Sequence, residues 1–316
     1  MIQSEGMIND TYIHGCMETR VALKRSFPDD ADDLMRMIEA RSVSDIPITG
    51  MGVEDPVGVL SRAGGDRRAM RELSGSLCEG AVLAMEYLGP YGECPGYLET
   101  GADLRYDYRP RANIFLLADA NGTPVGMVPL GCSRMKSSEA YGKLKDRRCL
   151  VITDRIPYSE ENVTGLEKSV DDYLLVQWPF PISYSSTRNA QMQELSHNGR
   201  TLRTCKIRYD KRWLFRFTDP VEAEMVRNRI PDMDVDRREL DVLRLSAGST
   251  DVISNVGHDI REVRRMLDIR QSMDIEMRRH RRLLAQDSAL LVSEDAVMGY
   301  MLMSVLSTRQ SMTGAH

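Results

Sequence analysis

A chain of 316 residues with 42% hydrophobic and 28% charged side chains has enough apolar material for a folded core, which excludes an intrinsically disordered chain. Its net charge of -5 argues against a general affinity for nucleic acid and turns attention to small molecules and proteins. Six cysteines, at positions 16, 78, 94, 132, 149 and 205, include no C-x-x-C pair, so no metal site is expected and buried thiols are the reading of choice.

In chain order, residues 1–16 read as a loose leader with neither a basic start nor a long apolar segment. The apolar run from Ala296 to Leu306 is about half the ~20 residues a membrane-spanning helix needs. A cytoplasmic protein that does not enter a membrane is therefore expected. Thr19 to Arg25 alternates polar and apolar residues and suits a first strand. Ser26 offers a cap for a following helix, with Pro28 and four aspartates near its start and Ala31, Leu34, Met35 and Ile38 as its buried stripe. Residues 42–66 are rich in turns, and Gly50-Met51-Gly52 lacks the third glycine of a dinucleotide loop. The pattern from Arg67 to Leu88 is helical, with Met70, Leu73, Leu77, Val82, Met85 and Leu88 facing the core. Gly89 to Tyr97 is a connecting loop by its glycines and prolines. Asn113 to Asp119 and Pro124 to Leu130 form a hairpin around Asn121-Gly122, the strongest short turn signal in the chain. The basic residues Lys136, Lys143, Lys145, Arg147 and Arg148 read as a solvated connector.

Arg148 to Gly199 carries most of the organisation. Arg148 to Asp154 is a short buried strand. A loop from Pro157 leads to Asn162, Gly165 and Glu167, after which Val170, Leu174 and Leu175 recur at helical spacing. A second strand overlaps the end of that helix, running from Leu174 to Trp178, and prolines 179 and 181 interrupt it. Ser185-Ser186-Thr187 then caps an expected helix with Asn189, Met192 and Leu195, which Asn198-Gly199 ends. Thr201 to Tyr209 and Arg212 to Phe217 read as an antiparallel pair whose Arg and aromatic alternation is that of a half-buried strand. Beyond Pro220 comes a short helix, Val221 to Arg229. A long amphipathic helix is expected from Thr250, with Ile253, Val256, Ile260, Val263 and Leu267, then after a stutter Met273, Met277, His280 and Leu284. Ser288 to Leu306 reads as a second helix that must be buried.

The opening at 19–40, the hairpin from Phe115 to Gly126 and the Arg148 to Gly199 stretch together resemble the GCN5-related N-acetyltransferase superfamily. The resemblance covers about 200 residues and lies in the order of elements. It implies an α+β fold: a mixed, mostly antiparallel sheet flanked by helices, here with an insertion around 42–110 and a helical extension. It also implies acetyl-CoA or another acyl-CoA as cofactor, lying along the central strand at Val151 and Ile152. The coenzyme diphosphate would sit on the helix start at Asn162 and Gly165, and Asn189 would open the later helix. Catalysis would fall to Asp154 as a base, with Ser196 where the family has its Tyr and His197 beside it. Besides Ser196, two positions depart from the pattern: Asn162 replaces Arg or Gln, and Glu167 places an anion where a diphosphate should rest, which opposes binding.

The expected domains are a leader over 1–16, an acetyltransferase-like domain over 17–220 and a helical region over 221–316. Two functions follow. One is an acyl-CoA-dependent N-acyltransferase acting on a small-molecule or peptide amine, with a coiled-coil tail for a protein partner or a second copy. The other is a catalytically inactive scaffold of the same build that serves as a protein-binding or assembly module.

Overall fold

The computed structural model describes residues 15–78, 82–88, 112–132, 137–145, 147–154, 158–177, 190–229, 244 and 246–314. The chain divides into two units: Met1–Lys143 with Ile269–His316, and Leu144–Asp268. This is not the expected division at residue 220. The chain leaves the first unit, builds the second, and returns to the first with its last helices. Both units mix helices with sheet, so the fold is α+β.

The first unit opens on helix α1 (15–26), not on the expected strand. The buried residues explain the correction. Thr19, Ala22, Leu23 and Ser26 are buried while Val21 is 58% exposed, a spacing of three and four rather than two. Helix α2 (Ala31–Val43) follows and buries Leu34, Met35 and Ile38 as expected, but its N-cap residue is Asp30 rather than Ser26. A 3-10 turn (Ile48–Gly50) leads to α3 (Pro56–Gly65) and α4 (Arg67–Leu77), capped by the Asp55 and Asp66 side chains. The helix expected to reach Leu88 stops at Leu77, where Cys78 turns extended, and β1 (Val82–Leu88) takes its place. Residues 83–87 are all buried, so β1 shows no alternation that would separate it from a buried helix. β1 pairs antiparallel with β2 (Asn113–Ala118), and β2 with β3 (Pro124–Gly131). The turn between β2 and β3 is held by the Asp119 carboxylate, which accepts from the N–H groups of Asn121 and Thr123 at 2.8 and 2.9 Å. Helix α5 (Ser137–Gly142) brings the Tyr141 hydroxyl to Glu86 at 2.7 Å.

The last two helices are α8 (Ile260–Asp287) and α9 (Glu294–Gly314), the former beginning in the second unit. Helix α9 is buried from Ala296 to Gln310 and packs against α2, α3 and β3. Two glycines let α3 and α9 touch. A Cβ at Gly299 would lie 1.9 Å from the carbonyl oxygen of Leu60, and one at Gly64 would lie 1.8 Å from that of Asp295. The seam between α2, α8 and α9 is polar despite its burial. Arg41 donates to Asp287 at 3.3 Å and stacks 5.3 Å from the Tyr300 ring centre. Asp287 also accepts from the Ile48 N–H at 3.2 Å, and His280 Nε2 meets the Thr308 hydroxyl at 2.9 Å.

The second unit is built on strands in the order β4-β5-β9-β8-β7-β6. β4 (Cys149–Thr153), α6 (Glu160–Glu167) and β5 (Asp172–Gln177) form a strand–helix–strand unit with a parallel pair, and the other pairs of this unit are antiparallel. The helix expected to span Ser185 to Gly199 is corrected where it is described. Residues 193–197 form β6 (Gln193–His197), and Asn198-Gly199, at φ 49° and 73°, turns it into β7 (Arg200–Tyr209). Both turn residues have positive φ, the geometry that asparagine followed by glycine favours in a two-residue hairpin. β8 (Arg212–Thr218) and α7 (Pro220–Arg229) come next. The start expected for the long helix at Thr250 is instead β9 (Ser249–Ser254), so α8 begins ten residues later, at Ile260.

Candidate functional site

The expected coenzyme seat is α6. Ser159 caps it by accepting from the Asn162 N–H at 3.1 Å, and Glu160 and Glu161 fill its first turn. Carboxylates there suit the positive end of a helix, and they take the place an incoming anion would need. From β8, the buried Arg212 reaches over and binds two of this helix's glutamates. Its Nε and Nη2 meet the two Glu167 oxygens at 2.8 and 3.1 Å, and its Nη1 meets Glu160 at 2.9 Å. The fork of one guanidinium is thus fully engaged by protein carboxylates.

Two tyrosines complete the cluster. Tyr173 donates to Glu167 at 3.0 Å and Tyr158 to Glu160 at 2.7 Å. The Arg212 hydrogen bonds hold the Glu167 carboxyl below its usual range, and Tyr158, then Arg212, do the same for Glu160. Arg212 is held above its ordinary value by the same contacts, with Glu167 first. Burial, seconded by the glutamates, pushes both phenols up. The cluster is closed on itself: every charge on it has a protein partner.

The remaining expected residues do not converge on this place. Val151 and Ile152 are fully buried within β4. β4 and β5 are paired without a break from Leu150 opposite Asp172 to Thr153 opposite Leu175. A Cβ on Gly165 meets nothing within 4 Å, so no protein neighbour requires glycine there. Asp154 is exposed at the end of β4. Ser196 and His197 lie on β6, five strand spacings from β4, about 24 Å at the usual separation of neighbouring strands. As consecutive strand residues they also face opposite sides of the sheet. Asp154, Ser196 and His197 are therefore not brought to one reacting atom. Asn189 lies outside the described residues.

His197 has a partner of its own. Its Nε2 contacts the Asp268 carboxylate, whose other oxygen receives Arg264 Nη2 at 2.6 Å. The Asn198 side-chain amide sits 3.2 Å from the same ring nitrogen. The group ties the β6–β7 hairpin to α8. Deeper in the unit, Arg216 and Asp251 form a buried bidentate pair with both contacts at 2.6 Å. Arg212, Arg216, Asp251 and Asp268 were not singled out from the sequence. Arg212 and Glu167 lie 45 residues apart, and no local pattern announces a pairing across that distance.

In the first unit an open recess of about 360 Å³ lies between α1 and the end of α4. Met17, Val21, Ala22 and Leu77 line it, with Glu18 and Arg25 beside them. Among the described residues no three His, Cys, Asp or Glu side chains gather as a metal site, and Cys16, Cys78, Cys132, Cys149 and Cys205 form no disulfide. No described helix is long and apolar enough to cross a membrane. No model of a known protein family matches the chain, and no curated protein matches it.

Proposed function

We propose that the chain is a non-catalytic binding or assembly module on an α+β scaffold. The observation that carries this reading is the Arg212 clamp: Glu160 fills the first turn of α6, where a coenzyme diphosphate would rest, and together with Glu167, the last residue of that helix, it already neutralises the nearest cation. The unbroken β4–β5 ladder supports the same reading, because a coenzyme arm needs those strands parted. Met17, 60% exposed, and Val21 beside an open recess supply apolar area of the kind a contact surface uses.

A divergent acyl-CoA-dependent N-acyltransferase is the second reading, favoured by the β4–α6–β5 order with its parallel pair. Isothermal titration with acetyl-CoA at millimolar concentration decides between them. We expect no heat and no thermal shift. Saturable binding to the unmodified chain overturns the module reading and supports the enzyme.

A further inference from the structure

The terminal strands of the two units are finished differently. β3, at the end of the first unit's strand order, carries Pro124 and Pro129, is buried along nearly its whole length, and is packed by α4 and α9. Prolines and cover are the usual means by which a sheet end is kept from pairing with another chain. β6, at the end of the second unit's order, has neither proline nor bulge, and Gln193, Glu194 and Ser196 are exposed.

The hairpin fixes which backbone groups of β6 face outward. The two-residue turn makes His197 and Arg200 a hydrogen-bonded pair, so His197, Leu195 and Gln193 spend their N–H and C=O on β7. Glu194 and Ser196, between them, point theirs away from the sheet. We propose that β6 is a self-docking edge, through which two copies of this chain join antiparallel about a two-fold axis at Leu195.

Register and charge select that axis. Centred on Leu195, Glu194 of each copy lies opposite Ser196 of the other, so all four outward backbone groups of each copy find partners. Each carboxylate then faces a hydroxyl that can donate to it. Centring on Glu194 opposes two carboxylates, which is destabilising. Centring on Ser196 puts Glu194 against Asn198 in the turn, where the strand geometry has ended. A five-residue edge contributes few bonds against the cost of association, so the pairing is weak and depends on protein concentration. The inference does not depend on whether a coenzyme binds, since neither Glu194 nor Leu195 belongs to the α6 cluster.

The test is mass by light scattering over increasing concentration of the full chain, with two variants at the exposed Ser196. The unmodified chain should shift from monomer toward dimer. Ser196→Glu opposes two carboxylate pairs and should weaken dimerisation at least about tenfold. Ser196→Lys should retain or tighten it by placing a cation against Glu194. Amide exchange at Glu194 and Ser196 should slow as the dimer forms. A chain that stays monomeric at all concentrations overturns the proposal, and so does a dimer whose stability is the same in both variants.

Discussion

His280 shows how one buried side chain sets a condition on the whole first unit. Burial and the nearby Arg41 and Arg279 push its imidazole down to about 3, whereas the unfolded chain titrates near the ordinary value of 6.5. Between those values the unfolded state binds a proton that the folded state refuses. The sign is therefore a loss of stability as pH falls from about 6.5 toward 3, by up to about 5 kcal/mol. Urea midpoints measured across this range should fall on acidification, and His280→Gln should flatten that limb. At Arg212 the expectation is different in kind. Arg212→Leu leaves Glu160 and Glu167 facing each other without their cation, but Glu160 is 66% exposed and water screens it. The cost should be about 2 kcal/mol, read as a lower denaturation midpoint at neutral pH. A variant as stable as the parent would show the clamp to be incidental. The expectation sets Glu167 at a helix start, whereas it is the last residue of α6, and Arg212, which pairs with it, is not legible in the sequence.

At the scale of elements, success and failure follow from how well a local pattern distinguishes one period from another. The β2–β3 hairpin was readable because Asn121-Gly122 and an Asp119 that caps its own turn leave one geometry. The same dipeptide at Asn198-Gly199 makes β6 and β7 a hairpin, although it fits a helix end equally well, because asparagine and glycine serve both uses. The seven residues from Thr19 to Arg25 are too few to separate a period of two from one near four, so α1 does not declare itself in the sequence. β1 and β9 are buried on both sides and lack alternation altogether, so only tertiary pairing declares them strands. The contact between α3 and α9 was invisible for another reason: a glycine that permits helix approach looks like a glycine that merely weakens a helix. Gly299→Ala should force the two helices apart and cost at least about 2 kcal/mol, seen as a lower melting temperature. Gly75→Ala, where a Cβ meets nothing within 4 Å, is the control and should stabilise α4 by about 0.5–1 kcal/mol.

For the whole molecule, the α+β class was legible through the order of elements on which the resemblance rests, while the division of the chain was not. A sequence is read as consecutive pieces, so the helices after residue 260 looked like an appendage available to a partner. The apolar surface of α9 is instead spent inside the first unit, against α2, α3 and β3. That moves the question of assembly away from the long helices and toward surfaces left unfinished, the β6 edge among them. The candidate site fared likewise. Its members were chosen by their place along the chain, and strand order separates Asp154 from Ser196 and His197.

The return of the chain to its starting unit bears on biosynthesis. A ribosome delivers Leu144–Asp268 in one stretch, so the second unit can close while translation continues. The first unit cannot: α2, α3 and β3 emerge early and hold their apolar faces toward a helix that has yet to be made. During that interval those faces are open to chaperones and to neighbouring nascent chains, and the arrival of α9 is the event that ends the exposure.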